Sequence, residues 1–275
     1  MTGGEPLLRK DIFEILRFLE SVQNISEYNI ITNAIPLNNK NIEQLEKLKK
    51  LKQLKISLEC SDSAMNDSIR GKGSFEKIME NFRLLRELSS KELVLMFTLG
   101  SYNVKSTYSM MNFSADNNAD ALIIERFVPQ GKGAELKEHF LKKNEWLEVV
   151  KNIIQFTELN ILPNELLPYK AFYIDLKNHR EVHGALCNLG DESMALMPNG
   201  DIYPCRRTAI KVGNILGDDF NDILIRLKLL RESFDKNLKG KCGTCRVQTK
   251  GCIGCRALVY ALSGDLYAED QQCFL

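Results

Sequence analysis

The chain has 275 residues, 44% of them apolar, enough for one or two domains with a substantial core. With 37 lysines and arginines against 36 acidic residues its formal net charge is +1, so no overall field selects a nucleic acid or an anionic membrane as partner. The greasiest run, residues 93–99, has the length of a buried strand, and Met1-Thr2-Gly3-Gly4-Glu5-Pro6 holds no secretory apolar region, so a cytoplasmic protein is expected.

From the amino terminus, Gly3 to Pro6 reads as a turn before an amphipathic helix over about residues 7–22, on which Ile12, Ile15, Leu16 and Leu19 share a face. Residues 28–32 predict a strand that stops at Asn33. Ile42, Leu45, Leu48 and Leu51 predict a second helix, and Leu54, Ile56 and Leu58 a short strand with one apolar face. After a polar loop over 59–73, Ser74 is placed as the N-cap of a helix that turns Phe75, Ile78, Met79, Phe82 and Leu85 inward. Strands follow at 93–98 and 121–127, with a helical stretch over 106–113 between them. Such alternation implies parallel strands joined by crossovers, an α/β sheet or barrel segment whose ligands sit at the carboxyl ends of the strands.

Beyond a helix marked by Trp146, Val149, Val150 and Ile153, Pro163 and Pro168 break the pattern and place a boundary between domains 1–168 and 169–275. Residues 194–197 and 202–205 read as a hairpin around Asn199-Gly200, which presents Cys205. Helices are predicted over 219–233 and 256–262, the latter closed by Gly264.

Seven of the eight cysteines lie in this second part: Cys187, Cys205, Cys242, Cys245, Cys252, Cys255 and Cys273. Cys242-Gly-Thr-Cys245 and Cys252-Ile-Gly-Cys255 are knuckles that aim paired thiolates at one point, the geometry of zinc or iron-sulfur ligation. One zinc consumes four cysteines, whereas seven suggest two polynuclear sites, one of them with an iron lacking a cysteine; zinc and disulfides are the alternatives. His179, His183 and Cys187, four apart, would align as ligands on a helix and are otherwise polar loop residues beside a cluster. Arg206, Arg207, Lys211, Lys236, Lys239, Lys241, Arg246, Lys250 and Arg256 gather positive charge near the cysteines, as a solvated face or as a balance to thiolate-ligated clusters.

These residues resemble radical S-adenosylmethionine enzymes that carry the cysteine-rich extension called SPASM. The extension's frame is matched by Cys187, Gly200-x4-Cys205, the block from Cys242 to Cys255, and Cys273, with Met197-Pro198-Asn199-Gly200-Asp201-Ile202-Tyr203-Pro204-Cys205 between. The central spacing is two, six and two where the family has two, five and three, so Cys252 alone is displaced. The resemblance implies a partial TIM-like barrel followed by a small SPASM domain with two auxiliary 4Fe-4S clusters. Cys187, Cys205 and Cys255 would hold the first and Cys242, Cys245, Cys252 and Cys273 the second. Gly3, Gly4, Glu5 and Pro6 match the family's Gly-Gly-Glu-Pro turn for the methionine moiety of S-adenosylmethionine. Ser57 and Arg70 would bind its ribose and carboxylate side, Arg70 being otherwise a surface ion-pair partner.

The family's Cys-x3-Cys-x2-Cys loop, which ligates the catalytic 4Fe-4S cluster, does not occur, since no cysteine precedes Cys60. The S-adenosylmethionine site is therefore expected to be incomplete and the chain to be a truncated form, inactive alone. A complete relative cleaves S-adenosylmethionine reductively and abstracts hydrogen from a peptide or a small cofactor precursor, with electrons from a donor protein. The alternative is a catalytically silent iron-sulfur or zinc module that contacts a peptide or redox partner.

Overall fold

In a computed structural model the fold is described for all residues except His179 and Glu192, with the side chains of Thr249 and Lys250 also left aside. A short turn at Pro6–Leu8 leads into α1 (Ile12–Ser21), β1 (Tyr28–Thr32), α2 (Asn39–Glu46) and β2 (Leu51–Ser57). Then come α3 (Ser63–Arg70), α4 (Ser74–Leu88), β3 (Glu92–Leu99), α5 (Thr107–Asp116) and β4 (Ala121–Arg126). β1 to β4 lie side by side in chain order, all parallel, as the alternation of strand and helix predicts. After α6 (Lys143–Thr157) and α7 (Pro163–Leu166), β5 (Ala171–Asp175) and β6 (Val182–Ala185) extend the same sheet antiparallel, β5 beside β4. The hydrogen-bonded sheet thus runs past residue 168, where the composition shifts.

The register places one apolar residue of each strand in line: Ile30, Leu54, Leu93 and, one step on, Ile56, Leu95, Leu122 and Ile174. These side chains face the helices and join Leu16, Ile42, Phe82, Met110, Trp146 and Ile153 in one core. Because side chains alternate along a strand, the other face carries Gln53, Lys55, Ser57, Thr98, Glu125 and Tyr173. The sheet therefore has an apolar, helix-covered side and an opposite, more polar side that also carries Val94, Met96 and Ile123.

Asp120, just before β4, ties several elements together. Its carboxylate accepts the Leu93 N–H at 2.6 Å and pairs with Arg86 at 3.0 Å and with Lys177. Burial pushes this carboxyl up, but Lys177, Arg86 and the Leu93 N–H outweigh it and leave it below the ordinary aspartate value. The stabilisation is thus complete above the unfolded value near 3.9 and is lost as pH falls through the lower folded value. Asp120→Asn is expected to cost about 2 kcal/mol at neutral pH. Urea unfolding checks this, and the gap from wild type should close in acid; a gap that widens there would contradict the pairing.

The second part is built from β7 (Ala195–Leu196), β8 (Asp201–Tyr203) and β9 (Gly213–Asn214), an antiparallel sheet, followed by α8 (Phe220–Asn237), α9 (Gly240–Thr244) and α10 (Arg256–Ser263). Gly200 turns the predicted hairpin at φ +86°, and Gly264 closes α10 at φ +73°. Among the described residues no helix is long and apolar enough to cross a membrane.

Four local expectations differ from what is found, the first being that Leu51, assigned to the second helix, opens strand β2. The polar stretch 59–73 contains α3, started by the Asp62 side chain, which accepts the Met65 N–H at 2.8 Å. Ser74 is not the N-cap of α4: left-handed Gly73 holds that place, and Asp67, reaching across from α3, accepts the N–H groups of Gly73 and Phe75. His183 lies on strand β6, so the four-residue spacing that would align it with Cys187 on a helix does not apply, and His179 lies outside the described residues.

Candidate functional site

Met1 lies along β1, accepting the Ile31 N–H at 2.9 Å, and this sets the Gly3 to Pro6 turn at the strand's carboxyl end. Glu5 anchors the turn. One of its oxygens accepts from the Thr32 hydroxyl at 2.6 Å and the Leu7 N–H at 3.1 Å; the other accepts the Asn33 N–H at 2.7 Å. Gly3 has φ +148°, and a Cβ on Gly3 or Gly4 would meet no protein atom within 4 Å, so the glycines front onto open space.

Ser57 ends β2 on the polar side of the sheet, beside Met96 of β3. Arg70, at the end of α3, forms an ion pair with the buried carboxylate of Glu59. Glu59 also accepts the Thr98 N–H at 3.3 Å, while Asn103 donates to its carbonyl at 2.8 Å. Burial pushes the Glu59 carboxyl up despite Arg70. Burial and then Glu59 push the Tyr102 hydroxyl up to about 12. Of the two roles open to Arg70, ion pairing is the one observed, and its partner is buried rather than superficial.

The seven tail cysteines fall into two groups. Cys187 is buried with Leu189, Phe234 and Ile253, Cys255 with Val128, Ala257 and Leu258, and Cys205 packs against both clusters. Burial, then the neighbouring Cys255, pushes the Cys187 thiol up. The other four, Cys242, Cys245, Cys252 and Cys273, line a cavity of about 50 Å³ together with Arg126 and Asp270. There burial raises Cys252, opposed by the Gly254 N–H and reinforced by Cys242, and burial likewise raises Cys273. Among the described residues no three or more Cys, His, Asp or Glu side chains gather closely enough for a single metal ion. The four sulfurs surround a space instead. Cys60 stands apart from both groups, buried and bonded to the Ser106 hydroxyl at 3.3 Å.

The last two residues of β4 connect the sheet to these groups. Successive strand residues point to opposite faces. Glu125, on the polar face, pairs with Arg206 at 2.9 Å and Arg207 at 3.3 Å, the two residues that follow Cys205. Burial works against its charge, yet Arg207 and Arg206 hold the Glu125 carboxyl below its ordinary range. Arg126, on the helix face, reaches Asp270 at 3.2 Å and Gln272 at 3.0 Å, and its guanidinium lies 4.9 Å from the centre of the Trp146 ring. Burial pushes Asp270 up, but Arg126 and the N–H groups of Cys255 and Gln272 bring it below the ordinary value.

The basic residues near the cysteines are largely engaged. Lys211 pairs with Asp201, Lys239 with Asp265 at 2.7 Å, and Arg256 donates to the carbonyls of Leu266 and Ala268. Sequence reading passed over Glu59, Glu125, Arg126 and Asp270. The available signals were two adjacent charges closing an apolar strand, and Asp270 three residues before Cys273.

A sheet of this topology with paired cysteine groups at one end defines a class. Residues 1–113 match the radical SAM superfamily and residues 187–246 match SPASM, an iron-sulfur cluster-binding domain. By these matches the chain carries a radical SAM segment followed by a SPASM domain. It is 26% identical over 287 residues to the AdoMet-dependent heme synthase of Methanosarcina barkeri, covering 99% of this chain and 81% of that protein. It is 23% identical over 278 residues to the mycofactocin maturase MftC of Mycobacterium ulcerans, covering 98% of this chain and 73% of the relative. Streptococcus suis SuiB, solved bound to S-adenosylmethionine, shares the fold with a TM-score of 0.67 at 19% identity over 100% of this chain. The chain spans 65% of SuiB's length.

Proposed function

We propose that Cys187, Cys205 and Cys255 hold one auxiliary 4Fe-4S cluster and Cys242, Cys245, Cys252 and Cys273 a second, in a protein that takes part in S-adenosylmethionine-dependent modification of a peptide or a cofactor precursor. One observation carries the reading: the tail cysteines sort into two groups, and the end of β4 reaches each from a different face. The donor set fits the groups assigned to it, because soft thiolates around a space suit a polynuclear cage. When bound, such clusters supply sites for electron transfer, and an open iron supplies a point of ligation.

Gly3, Gly4, Glu5, Pro6, Ser57 and Arg70 are assigned to S-adenosylmethionine. The glycines offer open space at the end of β1, and Glu5 is held in place by Thr32 and Asn33. In this assignment Arg70 exchanges Glu59 for the ligand carboxylate, or stays with Glu59 and orients the loop. The relatives named above, a heme synthase and a maturase, support a cofactor precursor or a peptide as substrate; an electron-donor protein is assigned as partner because reductive cleavage needs a source of electrons. Iron and acid-labile sulfide in equal amounts are expected in anaerobically purified protein; zinc without sulfide would overturn the reading.

The catalytic cluster is a different matter. These 275 residues hold no Cys-x3-Cys-x2-Cys, and Cys60, the one cysteine before Cys187, is buried. The chain of 275 residues is then expected to release no 5'-deoxyadenosine from S-adenosylmethionine under reducing conditions. Release well above that of a variant lacking the tail cysteines would defeat this expectation.

A further inference from the structure

The buried pair of Arg126 and Asp270 sits between the two cysteine groups, and one residue of it touches both. Asp270 donates its own N–H to the Cys242 sulfur at 3.4 Å, and its carboxylate accepts the Cys255 N–H at 2.9 Å. The same carboxylate binds Arg126 at 3.2 Å and the Gln272 N–H at 2.9 Å. The contact is tightly built: a Cβ on Gly254, which has φ +66°, would lie 2.8 Å from the Asp270 Cβ. Arg126 is 3% exposed, held by Gln272 and the Trp146 face. A carboxylate buried beside thiolates is a like charge in a low-dielectric place, which is tolerable only if a cation is fixed against it.

We propose that Arg126 and Asp270 are positioning residues that act as a matched charge pair, coupling the two cysteine groups mechanically and setting the reduction potential of the group in the four-thiol cavity. The proposal rests on the cluster assignment made above. Cluster potentials follow net local charge, hydrogen bonds to sulfur and solvent exposure. Asp270 supplies the first two at once, because its N–H meets a ligand sulfur and its charge lines the cavity. Arg126 cancels that charge and ties it to the end of β4, so a displacement of the sheet is transmitted to the cavity wall.

The test uses the full chain, reconstituted anaerobically with iron and sulfide, and reads midpoint potentials by EPR-monitored titration at about pH 8, where a carboxylate with such donors stays ionised. Asp270→Asn keeps the shape and one of the two acceptor oxygens but leaves the guanidinium unbalanced, so one potential is expected to rise. Arg126→Gln leaves the carboxylate unbalanced, so the same potential is expected to fall. The double variant should return towards wild type, and Arg126→Lys should stay near it. A purely structural role, acting through a looser or wetter cavity, would move both single variants in the same direction. Such a result, or unchanged potentials in fully loaded variants, overturns the proposal. Should Asp270→Asn fail to fold, the contrast between Arg126→Gln and Arg126→Lys decides. A wild-type chain that takes up no iron and sulfide would instead sink the cluster assignment itself, which iron analysis reads separately.

Discussion

Serine at both Cys242 and Cys245 is expected to remove about half of the iron and sulfide taken up by the chain, and serine at both Cys187 and Cys205 the other half, from a total of about eight irons. The two groups have different surroundings. Cys187 and Cys255 are enclosed by apolar side chains, whereas the four-thiol cavity also presents Arg126 and Asp270. Losing one site should therefore leave the other's ligands in place. Cys252→Ser alone should weaken the cavity site, since that sulfur lines it with Cys242, Cys245 and Cys273. Iron and sulfide per chain, with the visible absorbance, measure the outcome. If either pair of substitutions abolished all iron, a single shared site would replace two.

That division follows the resemblance to the family frame rather than spacing, which would pair Cys252 with Cys255 although they fall in different groups. Knuckles of two cysteines need only local turns, so they mark thiol ligation in the chain order, and residues 246–251 form a tight turn ending at Gly251, φ +81°, just before Cys252. The parallel strands were readable for a similar reason: alternate apolar residues mark which side faces the helices. What could not be read joins distant segments. Arg126 and Asp270 are 144 positions apart, and Arg206 lies 81 positions from Glu125. Neither pairing leaves a periodicity. α3 escaped notice because its apolar positions are few, and its start depends on one Asp62 hydrogen bond. β5 is buried and β6 largely exposed, so the two strands of this pair carry different patterns and leave no shared periodicity.

The largest stability effect is expected from Trp146→Ala, a loss of about 4 kcal/mol. Trp146 is the chain's single tryptophan and is 1% exposed on α6. Its ring stacks on Phe172 of β5 with centroids 5.8 Å apart, lies under the Arg126 guanidinium, and lines the four-thiol cavity. Truncation would remove a large apolar surface from the core, leave a void that the sheet cannot collapse into, and merge that void with the cavity. It would also strip Arg126 of its ring face while Asp270 and Gln272 still hold its far end. Trp146→Phe keeps a face for the guanidinium and should cost less than half as much. Urea unfolding of the metal-free chain, followed by circular dichroism because both variants lack the fluorophore, separates this packing cost from cluster binding. In the loaded chain the alanine variant should bleach faster in air, because water and oxygen gain a path to the four sulfurs. A loss below about 1 kcal/mol would mean that the ring does not hold the barrel against the cysteine cavity.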